Sequence, residues 1–306
     1  MSGHGHSIVN NEKGFALVLV LLIVALLIAA VTDFAYTVHQ ETVSLYHWRD
    51  AQSLSLEAAS GLRMGEQFLV KYLRTNTGYT YPGRVDIPVP DVTQDGRDSM
   101  VVSITDECGK INLNKVVDEH GGTETTWHYQ GFKRLLQLLG LDETIAGHVA
   151  DWIDTNHEER VRGSEKSAKN GPLYSIDELK NIHGITEDAY KKLLPHVTIF
   201  GDGNININSA DQYVLMSLSD DINEGLAKRA IAFRELKPFQ EQSGADIRRV
   251  SGFSSTLVSS LMGRISVKGT AFSLSVVAMR EEMRKTVTAV VEYNNNKLIC
   301  KYWKEY

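Results

Sequence analysis

From Phe15 to Val31 the chain reads FALVLVLLIVALLIAAV, seventeen residues without a charge, a Gly or a Pro. Wound as a helix this run is about 26 Å long, close to the thickness of a bilayer's hydrocarbon core. It passes into Thr32, Asp33 and Phe34 without turn residues, and no Pro occurs before Pro82. Further on, Ala51, Leu54, Ala58, Leu62, Leu69 and Leu73 recur at helical spacings, with Trp48, Phe68 and Tyr72 widening the stripe. Arg49, Asp50, Gln52, Glu57, Arg63, Glu66 and Lys71 fall between them on a wetter face. The pattern predicts one helix from Phe15 to about Arg74. Residues 15–32 would span a membrane, and the second half would pack on a globular domain.

The middle of the chain repeats itself. Residues 178–199 align without gaps to residues 246–267: Leu179 with Ile247, Ile182 with Val250, Ile185 with Phe253, Leu193 with Leu261, Val197 with Ile265. Gly184 coincides with Gly252, where two short helices would turn. Each copy follows an Ile-Asn-x-Asn element, at Ile111–Asn114 and Ile205–Asn208, whose Asn residues suit helix caps. Two related all-helical units are expected, about 111–199 and 205–267.

From about Lys268 the period changes. TAFSLSVVAM, KTVTAVVEY and KLICKYW are rich in β-branched and aromatic residues, with Asn294-Asn295-Asn296 as a turn, and Met100 to Thr105 adds a strand before the helical part. The expected fold is therefore α+β. A long helix and an antiparallel sheet (33–110 and 268–306) carry an inserted α-domain (111–267).

Composition narrows the function classes. With 42% hydrophobic and 23% charged residues in 306, the chain is neither disordered nor fibrous. The net charge is −6, and over 111–267 there are 17 Lys and Arg against 22 Asp and Glu. That acidity weighs against nucleic acid, although the paired helices resemble helix-hairpin-helix modules and keep a membrane-anchored, competence-like DNA-binding protein as the alternative. Each hairpin holds a single Gly, and the first runs into Glu187-Asp188. Cys108 and Cys300 are compatible with one long-range disulfide or with two free thiols. No His-Glu-x-x-His, phosphate loop or nucleophile elbow occurs, so no catalytic activity is expected.

The leader resembles a type IV prepilin signal, because Lys13-Gly14 followed by Phe15 stands before the apolar run and not after it. The resemblance implies that residues 1–14 are removed by a prepilin peptidase and that Phe15 is N-methylated. Counting from Phe15, the fifth residue is Leu19, where most pilins and pseudopilins have Glu; within type II secretion that departure marks the K-type subunit at the pseudopilus tip. DECGKINLN, ADWIDTN, NGPLYSIDELKNIHG, LLPHVTI and NININSA follow in order. Together these resemble the general secretion pathway protein K family, over nearly the whole mature chain.

That resemblance implies a pilin-like fold with an inserted α-domain and I- and J-type minor pseudopilin partners. It also implies a role in starting pseudopilus assembly or contacting exported substrates, with an inner-membrane anchor and a periplasmic body. One local chemistry stands out. Asp154, Asn156 and Glu158 alternate, Glu165 follows, and Asp151 lies one helical turn before Asp154; hard oxygens of this kind suit Ca²⁺. Glu159 stands where an EF-hand loop needs Gly, so a solvated acidic loop is the competing reading. The family resemblance implies calcium near the Trp152-Ile153-Asp154 segment and Gly163-Ser164-Glu165.

Overall fold

The computed structural model describes residues 12–89, 98–118, 122–123, 126–241 and 245–306; most of the expected leader lies outside them. Helix α1 runs Glu12–Thr75 without a break. The chain divides after Ser53, and the described residues up to that point all belong to this helix. Among the described residues α1 is the one helix long and apolar enough to cross a membrane, and Phe15–Val31 is exposed throughout.

Within Leu54–Tyr306, the later part of α1 lies on a five-stranded antiparallel sheet. Its strands are β1 (Arg84–Val89), β2 (Asp98–Asp106), β7 (Ala271–Arg280), β8 (Met283–Asn294) and β9 (Lys297–Glu305), in that spatial order. Leu54, Ala58, Leu62, Leu69 and Leu73 are buried against Val102, Leu274, Val276, Val287 and Ala289. Each buried leucine contributes on the order of 2 kcal/mol. Gly65 lets the helix approach, since a Cβ there would lie 2.9 Å from Val102 Cγ1. Trp48 and Phe68 do not join the stripe; they are 65% and 45% exposed. The β8–β9 hairpin turns on Asn295 and Asn296, both at positive φ (49° and 61°), a conformation asparagine tolerates well.

Between β2 and β7 lies the helical part. Its first unit comprises β3 (Ile111–Asn112), α2 (Trp127–Leu138), α3 (Thr144–Ile153), α4 (Glu187–Leu193) and β4 (Val197–Thr198). The second comprises β5 (Ile205–Asn206), α5 (Gln212–Ser217), α6 (Glu224–Leu236), α7 (Ser255–Leu261) and β6 (Ile265–Ser266). Each unit closes on a two-residue parallel pair, β3 with β4 and β5 with β6. Phe132, Leu136, Val149, Leu193, Phe239 and Leu261 belong to one helical core, separate from the core under α1.

The repeated asparagines are the rivets of these units. Asn114 Nδ2 donates to the carbonyls of Leu173 (2.9 Å) and Ile199 (3.2 Å), and its Oδ1 accepts from Leu173 N–H (2.8 Å). Asn208 repeats the pattern with Phe239 O (2.9 Å), Val267 O (3.3 Å) and Phe239 N–H (2.9 Å). Thr186 and Ser254 are likewise equivalent N-caps, accepting from Ala189 and Leu257. Asn208→Ala leaves buried backbone groups unpaired and should lower stability by about 3 kcal/mol in urea unfolding, whereas Ser259→Ala on the exposed side of α7 should change it by less than about 0.5 kcal/mol.

Cys108 and Cys300 are both free, which decides the question left open by the sequence. Cys108 is buried just after β2, receives a hydrogen bond from Thr270 N–H (3.3 Å) and is pushed up to about 12, by burial first and then by the charge of Asp106. Cys300 is exposed on β9, which β8 separates from β7. Two strand spacings of about 4.8 Å exceed what a disulfide spans.

Candidate functional site

The one described group of carboxylates able to hold a metal ion forms where α3 ends. Asp151 lies in its last turn and Asp154 caps it; the chain then loops out and returns so that the 3₁₀ turn Ser164–Ser167 brings Glu165 back. One ligand oxygen each from Asp151, Asp154 and Glu165 lie within 4.8 Å of one another. Asp151 and Asp154 are fully buried and Glu165 nearly so.

The loop is folded around Asp151. Its Oδ2 accepts from the N–H groups of Arg160 (2.9 Å) and Val161 (3.3 Å) and from Ser164 Oγ. Arg160 Nη1 bridges Asp151 Oδ1 (2.6 Å) and Asp154 Oδ2 (2.5 Å). The Arg160 guanidinium therefore bridges two of the three carboxylates, which when ionised leave the site with an excess of negative charge. Asp154 Oδ1 and both oxygens of Glu165 are buried without a hydrogen-bond partner. Burial raises the Asp154 carboxyl above its ordinary range, with Arg160 opposing. Burial also raises Glu165, and the charges of Asp154 and Asp151 add to it. Buried, unpaired carboxylate oxygens with excess negative charge fit a hard divalent cation.

The alternation that suggested the site does not survive intact. Asp151, Asp154 and Glu165 converge, but Glu158 is exposed and outside the group, because Asn156 Oδ1 accepts from Glu158 N–H (2.7 Å) and turns the loop away. Arg160 and Asn170 were not foreseen, and Ser164 was named only within the Gly163-Ser164-Glu165 segment, without its bond to Asp151. Asn170, at φ 52°, holds a buried unpaired Oδ1 and directs its amide to His157 Nδ1 (3.2 Å), which lies 3.7 Å from Glu165. The Asn170-Gly171 dipeptide is the sequence signal for that turn.

Gly14 and Phe15 lie in the first turn of α1, and Leu19 is exposed one turn further. The hairpins behind the DNA-binding alternative turn on Gly184 and Gly252, at φ 86° and 104°. They bury Ile182, Ile185, Val250 and Phe253 in the helical core. Glu187 and Asp188 open the helix after the first, and Arg229 Nε is tied to Ser251 O (2.9 Å) in the second.

A long N-terminal apolar helix and an antiparallel sheet, with a helical domain spliced between neighbouring strands, make a pilin-like fold of enlarged type. Residues 109–202 match the family model of type II secretion system (T2SS) protein K. The chain is 27% identical over 273 residues to type II secretion system protein K of Pectobacterium carotovorum subsp. carotovorum, covering 79% of this chain and 80% of that protein. It is 25% identical over 225 residues to the Klebsiella pneumoniae protein of the same name, covering 65% and 66%. A solved chain in the GspK-GspI-GspJ complex from the enterotoxigenic Escherichia coli type 2 secretion system shares the fold at TM-score 0.66 and 20% identity, covering 84% of this chain and 97% of that one. Over most of its length the chain is thus similar to type II secretion system protein K.

Calorimetric titration of the chain with Ca²⁺ should give saturable binding. Asp154→Asn and Glu165→Gln should each weaken it at least about tenfold, and Glu158→Gln should not. Because Asp154 and Glu165 are both raised, protons compete with the cation, and affinity should fall as pH drops from 7 to 5.

Proposed function

We propose that this chain caps the tip of the type II secretion pseudopilus, where it helps initiate assembly and the export of folded periplasmic proteins across the outer membrane. The observation that carries the reading is the insertion between β2 and β7: a helical domain with its own core emerges from one end of the pilin-like sheet. Bulk of that size would obstruct the stacking of a further subunit above it. A subunit so built suits an end and not a repeating position.

The N-terminal chemistry agrees. Cleavage between Gly14 and Phe15 by a prepilin peptidase would remove the polar leader while keeping every turn of the apolar run, and N-methylation would follow at Phe15. Leu19 supplies no carboxylate to pair with a neighbour's terminal amine; a lone carboxylate in lipid is costly and would need such a partner. Residues 15–32 would anchor the chain in the inner membrane, with the remainder in the periplasm. I- and J-type minor pseudopilins are the expected partners, by likeness to the protein solved with GspI and GspJ. The role is structural and not enzymatic. Calcium, held by Asp151, Asp154 and Glu165, would fix the loop after α3 by supplying positive charge to buried carboxylates.

Mass analysis of the N-terminal peptide from membrane-extracted protein tests this reading. A peptide beginning at N-methylated Phe15, with co-purification of the I- and J-type subunits, is the expected result. An intact Met1, or a cut beyond Val31, would reject it.

A further inference from the structure

The helical core and the core under α1 are separate, and a polar junction lies between them. Its centre is Asp106, the last residue of β2, which is buried. Asp106 Oδ1 accepts from Cys108 N–H (2.9 Å); Oδ2 accepts from Asn206 Nδ2 (2.6 Å) and Ser209 Oγ (2.9 Å) of the second helical unit. Thr80 completes the set. Its Oγ1 accepts from Asn206 Nδ2 (2.8 Å) and from Gly269 N–H (2.8 Å), which leaves its one proton for Asp106 Oδ2 (3.3 Å). Glycine at 269 is required by this approach, since a Cβ there would lie 2.4 Å from the carboxylate oxygens.

Every donor to Asp106 is neutral. The charged groups of the surrounding elements are engaged elsewhere: Arg84 with Asp86, Lys110 with Glu107, Arg234 with the carbonyls of Ile207 and Ala210, and Lys268 with Thr77 O. Asp211 pairs with His196, and Glu235 lines the same cleft. Further titratable neighbours are Cys108, Tyr81, which lines the cleft, and the phenol of Tyr72, which donates to Tyr81 O. Ser209 Oγ also lies 3.4 Å from Asn206 O, so it can release the carboxyl when Asp106 gains a proton and accept from it instead.

We propose that this junction is an acid-tightened joint: Asp106 takes up a proton in the docked state, and the helical domain is held more firmly on the sheet at mildly acidic pH than at neutral pH. Burial raises the carboxyl from 3.8 to about 6, against the opposing effect of Asn206, Ser209, Cys108 N–H and Thr80. The docked state then binds a proton that the opened junction, with an ordinary carboxyl, does not. Docking is favoured below the ordinary value and loses that advantage as pH rises through about 6.

Hydrogen exchange of the full-length protein in detergent micelles tests the joint. After correction for intrinsic exchange rates, peptides spanning 104–110 and 266–271 should be about tenfold better protected at pH 5 than at pH 7.5. Asp106→Asn should abolish that rise. A wild-type junction with flat protection, or a rise that persists in Asp106→Asn, overturns the proposal. Carbon-13 titration of the Asp106 carboxyl in the unaltered protein decides the matter independently of the variant's folding: a midpoint near 6 supports the joint, and one near 4 refutes it.

Discussion

The pairing of β2 with β7 governs the layout of this chain. Their register runs from Asp98↔Arg280 to Asp106↔Phe272, although the helical domain lies between them in sequence. Adjacent strands stand about 4.8 Å apart, so whatever is spliced in must leave and return within that distance. The closure entropy of a long loop rises only slowly with its length. An insertion with a core of its own therefore costs the sheet little, provided its two ends are pinned. Cys108, Thr270 and the groups around Asp106 do the pinning, immediately beyond the last paired residues.

The same problem is solved twice more at smaller scale. Each helical unit must also bring its ends together, and two residue pairs of parallel strand are too short to fix a register alone. Asn114 and Asn208 supply what is missing, because a buried amide offers donors and an acceptor in fixed geometry. Each ties the start of its unit to the segment before the hairpin and to the residue just past the unit's closing strand. Hydrophobic contacts would tolerate sliding by a residue; a buried asparagine with both ends engaged does not.

Which parts were legible in the sequence follows from the range of the forces involved. The inner stripe of α1 was readable because burial follows the helical period, from Leu54 to Leu73. Trp48 and Phe68 were misplaced because an aromatic at the margin of a stripe carries no label for the side it faces. Strands β7 and β8 announced themselves by β-branched residues. β1 did not, since Arg84, Asp86 and Pro88 are what an exposed edge strand carries and they hide its alternation. Asp151, Asp154 and Glu165 were found, but by an argument about alternating positions that fails at Glu158. Asn170-Gly171 marks a turn, but the contact of Arg160 with both aspartates depends on how the loop returns, which no local pattern encodes.

The repeat itself explains why the loop after α3 needs polar fixing. Between the asparagine and its loop partner lie 59 residues in the first unit, from Asn114 to Leu173, and 31 in the second, from Asn208 to Phe239. Much of the difference falls after α3, in residues 154–172, which contain no buried hydrophobic side chain. Ordering each such residue costs about 1–2 kcal/mol of backbone entropy, and here no apolar burial offsets it. The segment must be held by what it does contain: Asp154 and Glu165, the Arg160 bridge, and the backbone donors aimed at Asp151. Three carboxylates drawn together would by themselves push the loop apart. A divalent cation among them would reverse that sign and join α3 to the 164–167 turn much as a cross-link would, and among the described residues the second unit offers no such group of carboxylates.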